Sequence, residues 1–368
     1  MTAHPAYTGL DRLLHRVALD RRFRGLALQK SLAELEQGFL GEDAAAAAPD
    51  APVFVTALPR AGTTLLLDLL ARVPAFASHT YRDMPFVLAP VLWGRLSSPF
   101  RKAAGASERA HGDGVMVGYD SPEAFEEVLW LAFWPDKYRA DRILPWTAGD
   151  RAAGFEAFFA RHMRSVIAAR ARERAGSPPA RYLSKNNANI ARLPLLPVLF
   201  PDCRVVVPLR EPLVHCRSLL RQHRRFLELH ARDPFARQYM DWIGHFEFGA
   251  GLRPIRFGDD GEELAGDPRE LDFWLRYWIS AHRTILSAGD SVILFDYAGL
   301  CADPARSLGA LADSLAIADA DALVAGAEQI RRPAAEDRPA DKGDPALRRH
   351  AAGLYEAALA RCVNRVAA

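Results

Sequence analysis

The sequence predicts a three-layer α/β fold, a parallel β-sheet with helices on both faces. Three observations point there. Short, wholly apolar strand-like runs recur along the chain. Helical stretches separate them, which suits a sheet covered on both sides. The first run passes through a glycine-containing turn into a helix, the opening unit of such a sheet.

Residues 9–40 carry Leu10, Leu13, Leu14, Val17, Leu26, Leu28, Leu32 and Leu35 at helical spacing, predicting one or two amphipathic helices. The alanine-rich stretch from Gly41 to Ala51 reads as a linker. The expected division is therefore an N-terminal helical extension and linker at 1–50 and one main domain at 51–368. Strands are predicted from Pro52, over Arg181–Lys185, over Cys203–Arg210 and over Ser291–Tyr297. The first leads into a helix over Gly62–Arg72, the third into one through His223. Segments 120–175 and 225–285 are aromatic-rich and read as helices packed around the sheet.

With 368 residues, half of them hydrophobic, the chain is long enough for one large domain. Its formal net charge of +2 gives no global argument for nucleic acid or membranes, so any anion site must be local. Cys203, Cys216, Cys301 and Cys362 are scattered, without metal-ligand spacing or a disulfide framework. Cys203 and Cys216 read as buried thiols. No membrane span and no signal peptide are expected, which fits a cytoplasmic protein.

Two local anion sites stand out. Ala57-Leu-Pro-Arg-Ala-Gly-Thr-Thr64 lies between a strand and a helix, with Gly62 and Thr64 at phosphate-loop spacing. Backbone N–H groups and the positive helix end would hold an oxyanion there. Thr63 stands where a nucleotide triphosphatase has its lysine, and the cation comes earlier, at Arg60. The competing reading is an ordinary turn capped by a threonine. The second site is Arg210-Glu-Pro-Leu-Val-His-Cys-Arg-Ser218, where Arg210 ends a strand and Ser218 lies two turns into the next helix. Both could converge on one phosphate. The alternative is an Arg210–Glu211 pair and a surface serine.

These residues resemble the PAPS-dependent sulfotransferase family (PAPS is 3′-phosphoadenosine 5′-phosphosulfate). Pro59 to Leu66 is similar to its 5′-phosphosulfate loop, with Ala61 in place of the usual Ser or Thr. Arg210-Glu211-Pro212 with Ser218 is similar to its 3′-phosphate motif. Phe295 to Leu300 with Asp303-Pro304 resembles a structural strand-to-helix landmark of the family. The resemblance implies a P-loop NTPase-like sulfotransferase fold, PAPS as donor, PAP as product and no metal. It assigns Arg60, Ala61, Gly62, Thr63, Thr64 and Leu65 to the 5′-phosphosulfate, with Arg60 beside the sulfuryl group. Arg210 and Ser218 fall on the 3′-phosphate, and Lys185 in the active site.

The small-molecule branch carries a catalytic histidine two residues after that lysine. Here Asn187 stands there, and it is no base. An alcohol acceptor must lose its proton. Asp83 is the first candidate to take it, His111 the second, and the carboxylates of Asp120–Glu127 the third. Each has a plainer role: Asp83 pairing with Arg82 or capping a helix, His111 on a loop surface, the 120–127 carboxylates at a helix start. The aromatic segments Phe125–Tyr138 and Phe273–Trp278 read as core before acceptor pocket. Arg221, Arg224 and Arg225 read as a solvated helix face. The polar 331–343 segment reads as solvent-exposed, with a flap whose Arg338 and Lys342 touch the 3′-phosphate as the alternative. The acceptor is a small molecule, glycan or lipid carrying a hydroxyl or amine. A P-loop kinase or NTPase, and a non-catalytic PAP-binding protein, remain as alternatives.

Overall fold

The computed structural model describes residues 9–38, 50–97, 107–108, 116–117, 121–173, 178–258, 264–330 and 343–365. His111, Asp120 and the 331–342 stretch, with Arg338 and Lys342, lie outside them.

The N-terminal periodicity resolves into two helices, α1 (Gly9–Leu19) and α2 (Gly25–Gln37). Then come β1 (Asp50–Val55), α3 (Thr63–Leu70), β2 (Phe76–Ala77) and α4 (Pro90–Ser97). A two-stranded ribbon, β3 (Ser107–Glu108) with β4 (Met116–Val117), precedes α5 (Glu127–Phe133) and α6 (Phe155–Glu173). β5 (Arg181–Lys185), β6 (Arg204–Leu209), α7 (Pro212–Arg232) and α8 (Pro234–Ile243) follow. The main elements close with α9 (Leu271–Ser287), β7 (Val292–Asp296), α10 (Tyr297–Ala302), α11 (Pro304–Ser314) and α12 (Pro345–Leu359).

Five strands form one sheet in the order β2-β5-β1-β6-β7, every pair parallel. The apolar strands have two buried sides, as a helix-covered parallel sheet requires. Val53, Val55, Leu183, Val206 and Phe295 face a layer that includes Leu66 and Leu70 of α3 and Leu308 and Leu311 of α11. Phe54, Tyr182, Val205, Val207 and Leu294 face the other layer, with Phe159 of α6 and Cys216 and Leu219 of α7. Phe54 sits among Phe159, Tyr182 and Phe200, with ring centroids 6.1–6.2 Å away.

Four predicted strands are found within a few residues of their expected limits. The fifth, β2, is only two residues long and left no pattern to read. Helix α7 runs on to Arg232, well past His223, because Phe226 and His230 continue its buried face. Cys216 is buried, whereas Cys203, expected to match it, is half-buried.

The α1–α2 pair docks on the body through polar contacts as well as Leu19 and Ala33. Leu88 N–H donates to Gln29 Oε1 at 3.0 Å, and Leu92 N–H to Glu36 at 2.6 Å. Burial raises the Glu36 carboxyl above its ordinary range.

Behind the sheet's C-terminal edge lies a buried ion pair. Arg192 and Glu127 are 0 % and 2 % exposed. Arg192 makes two 2.8 Å bonds to the Glu127 carboxylate. Its guanidinium lies 4.2 Å and 4.3 Å from the ring centres of Trp130 and Trp146. Tyr138 and Asn186 also donate to Glu127. Glu127 stays ionised against its burial because of this company, its carboxyl held below the ordinary range. Arg192→Leu leaves a carboxylate buried without its cation. The expected cost is about 3–5 kcal/mol, checked by urea unfolding of the variant against the parent.

Candidate active site

The C-terminal edge of β1 is where the fold exposes backbone donors. Register sets Val55 level with Lys185 of β5 and Val206 of β6. β1 is also where the chain switches from one side of the sheet to the other, the usual ligand position in open α/β sheets. The loop 56–62 leaves from this point.

Gly62 caps α3 with φ 104° and, having no side chain, leaves the first-turn N–H groups without a cap from the N-cap residue. Those donors and the positive helix end face the loop. A Cβ on Gly62 would come within 2.7 Å of the Tyr297 ring, so backbone and ring close on each other here. A group with terminal anionic oxygens fits such a cradle.

Arg60 adopts φ 72°, a left-handed conformation costly for a residue with a side chain. Two neighbours hold it. Arg210 Nη1 donates to the Arg60 carbonyl at 2.9 Å. His215 Nε2 donates to the Pro59 carbonyl at 2.8 Å. His215 Nδ1 accepts from the Trp278 indole N–H at 3.3 Å, which defines the neutral tautomer. Burial pushes His215 down to about 3. The histidine sits inside the second anion motif, yet the motif gave no hint that it anchors the first.

The two motifs meet through Arg60. Arg60 Nε lies 3.5 Å from Ser218 Oγ, on α7. Arg210, Arg60 and the buried Ser218 thus converge beside β1 and β6. Glu211 is not Arg210's pair: its carboxylate accepts from the N–H groups of Leu213 and Val214 and caps α7. Arg210 lies 5.8 Å from the Tyr297 ring centre. The expected landmark after β7 is local capping: Asp296 accepts from Ala298 and Gly299 N–H, and Asp303 caps α11.

Lys185, level with Val55, is buried at the same edge. The loop after it turns on Asn186, whose side chain accepts from Ala188 N–H. Asn187 joins three segments. Its carbonyl accepts from Thr56, and its side-chain Oδ1 accepts from Thr63 Oγ1 at 3.3 Å. Its Nδ2 donates to Glu247 Oε1 at 3.0 Å.

Asp83 takes the capping role weighed for it, accepting from the Thr80 N–H in the capping box of the turn at Tyr81–Asp83. It is 1 % exposed and pairs with Arg170, not Arg82, at 2.7 Å. His79 and the Thr80 N–H also bond to it. Against strong burial, Arg170 and His79 lower its carboxyl to about 2. A carboxylate so engaged is a poor proton acceptor. Glu126 and Glu127 do stand at a helix start, as the cap and first residue of α5, and both are also buried in side-chain networks. In the basic cluster, Arg224 donates to the Arg269 carbonyl at 2.7 Å.

A small cleft opens beside the loop, bordered by Leu58, Pro59, Asn187 and Glu247. Trp274 and Tyr277 also line it, so one aromatic segment serves both core and cleft. Among the described residues no cluster of three or more His, Cys, Asp or Glu could hold a metal. Among them no helix is long and apolar enough to cross a membrane.

The family profile described as "Sulfotransferase family" matches residues 52–249, more than half of the chain. The chain belongs to the sulfotransferase family. Both anion motifs, Lys185, Asn187 and Glu247 fall within the matched span. This sulfotransferase is built on the five-stranded parallel sheet described above, with helices on both faces. Among solved structures it is similar to sulfotransferase STF1 from Mycobacterium tuberculosis, at 16% identity and TM-score 0.47 over 94% of this chain and 90% of that one. Sulfotransferase STF9 from Mycobacterium avium matches at 14% identity and TM-score 0.48, over 96% of this chain and 87% of that one. A sulfotransferase from Alicyclobacillus acidocaldarius matches at 12% identity and TM-score 0.39, over 86% and 97%. No curated protein matches the chain.

Proposed function

We propose that the protein transfers a sulfuryl group from PAPS to the hydroxyl of a small-molecule acceptor, in the cytoplasm. One observation carries this reading: two oxyanion cradles stand side by side at the strand ends. The uncapped start of α3 lies under Gly62. The Arg60–Arg210–Ser218 cluster lies beside it. One adenosine bisphosphate has anions at both ends to match them.

In this reading the N–H groups of Ala61, Gly62, Thr63, Thr64 and Leu65 receive the 5′-phosphosulfate. Ser218 and Arg210 receive the 3′-phosphate. Arg60 reaches Ser218 in the structure, so its guanidinium serves the nucleotide's phosphates from the loop side. Lys185 meets charge that builds on the bridging oxygen as the S–O bond lengthens. Such transfer needs in-line positioning more than covalent work by the protein. Residues 51–368 form the catalytic unit, and 1–50 an extension docked through Gln29 and Glu36.

Calorimetry tests it. PAP should bind without added Mg²⁺, since Thr63 stands where a triphosphatase has its lysine. Arg210→Ala should weaken PAP by roughly tenfold to a hundredfold, about 1.4–2.7 kcal/mol, and weaken adenosine monophosphate much less, because it lacks the 3′-phosphate. Strictly Mg²⁺-dependent binding would favour a P-loop kinase. Absence of PAP binding would refute the proposal.

A further inference from the structure

We propose that Glu247 is the general base, and that the cleft beside it takes an apolar, ring-bearing hydroxyl compound such as a phenol. The proposal rests on the sulfuryl-transfer reading above.

The geometry singles out this carboxylate. Asn187 lies between the phosphate loop and Glu247, with Oδ1 on Thr63 and Nδ2 on Glu247 Oε1. A carboxylate only accepts hydrogen bonds, so the amide nitrogen must face it and the oxygen must face the threonine hydroxyl. Asn187 is thus a positioning residue, one that cannot take the proton itself. It fixes one oxygen of Glu247. The other, Oε2, has no hydrogen-bond partner among the described residues.

The alternatives are committed elsewhere. Asp83 is held by Arg170 and His79, and Glu127 by Arg192. Glu126 bonds to Trp130 and Asn189 and is 1 % exposed. Glu247, by contrast, is half-buried and borders the cleft together with Leu58 and Pro59 of the loop.

The rest of that lining selects the acceptor's body. Ile143, Phe246, Leu252, Ile255 and Tyr277 contribute mostly apolar surface. The Tyr277 hydroxyl already accepts from Ile255 N–H. Arg253 and Asn186 add polar groups at the border, but the lining is more apolar than polar, which suits a flat, apolar body better than a sugar.

The step balances. The acceptor O–H proton passes to Glu247 Oε2. An oxygen lone pair forms the new O–S bond as the S–O bond to the 5′-phosphate breaks, and that electron pair leaves on PAP. Glu247, now a carboxylic acid, returns its proton to solvent after the products depart.

The test compares two phenols with labelled PAPS. 4-Propylphenol must lose a proton; pentafluorophenol is already ionised in neutral buffer. With 4-propylphenol, Glu247→Gln should lower kcat about a hundredfold or more, with KM little changed. With pentafluorophenol the loss should be under about threefold, because no proton is left to remove. Glu247→Asp, which keeps a carboxylate, should recover part of the 4-propylphenol rate. PAP affinity should be unchanged in both variants, which confirms an intact nucleotide site. Equal losses on both phenols, or full activity of Glu247→Gln, overturn the assignment. Wild-type protein that binds PAP but sulfates neither phenol overturns the acceptor class. Wild-type protein that fails to bind PAP strikes instead at the sulfuryl-transfer reading.

Discussion

Gly62→Ala should lower PAP affinity about a hundredfold, or about 2.7 kcal/mol. Two costs add at this position. The backbone sits at φ 104°, where an alanine is strained by about 1 kcal/mol or more. The new Cβ also lies within 2.7 Å of the Tyr297 ring. Something must move, and both routes harm the site. If the loop shifts, the first-turn N–H groups of α3 no longer point at one anion. If the ring shifts, the face that Arg210 lies over at 5.8 Å is lost. The double variant Gly62→Ala/Tyr297→Ala separates the costs. Compared with Tyr297→Ala alone, it should lose only about tenfold, the backbone strain without the overlap. Calorimetric titration with PAP reads all three. Equal losses in both backgrounds would show that the ring is not the obstacle.

The second large effect is acid instability beginning near neutrality. His162, His215 and His282 are each 3 % exposed or less. Burial pushes them down to about 3, about 3 and about 4. Their bonding depends on the neutral rings. His215 needs a lone pair for the Trp278 N–H, and a second proton would set donor against donor. His282 donates Nδ1–H to the Trp278 carbonyl and stacks on that indole at 3.5 Å. His162 Nε2 meets His79 Nε2 at 2.9 Å.

The sign follows from the depressed values. Below pH 6.5 the unfolded chain takes up these protons and the native chain does not. Stability is therefore fully present above the unfolded value and falls as the solution is acidified. Each group contributes a slope of about 1.4 kcal/mol per pH unit, so three contribute about 4. Whole domains are stable by about 5–15 kcal/mol, so the roughly 6 kcal/mol lost between pH 7 and pH 5 is a large share of the total. Urea unfolding at stepped pH measures this, and His215→Gln should reduce the slope by about a third. A flat stability profile from pH 7 to 5 would contradict it.

Much of the architecture was legible because its determinants are local. Buried parallel strands are continuous apolar runs, and Arg181–Lys185 was found with its expected limits. The phosphate loop announced itself through Gly62 and Thr63, since a left-handed cap before a helix is a requirement on adjacent residues. Arg210 and Ser218 were legible for the same reason: one helix fixes their separation. What could not be read were partners far along the chain. Asp83 suggested Arg82, its neighbour, but it pairs with Arg170, 87 residues away. Glu127 read as a helix-start charge and is one, but its buried partner Arg192 lies 65 residues along the chain. His215 lay in plain view within a motif, but its bonds run to Pro59 and Trp278. Glu247 belongs to no motif and meets Asn187 across 60 residues.

The sequence by itself determined the sheet, the two turns proposed to bind anions and their order, because strand polarity, helix caps and loop glycines act over a few residues. Only the tertiary structure decided which carboxylates are locked in ion pairs and which one faces the cleft with an oxygen to spare. The physical reason is that an acid's usefulness depends on burial and on the charges folded against it, and both are set by contacts between distant segments.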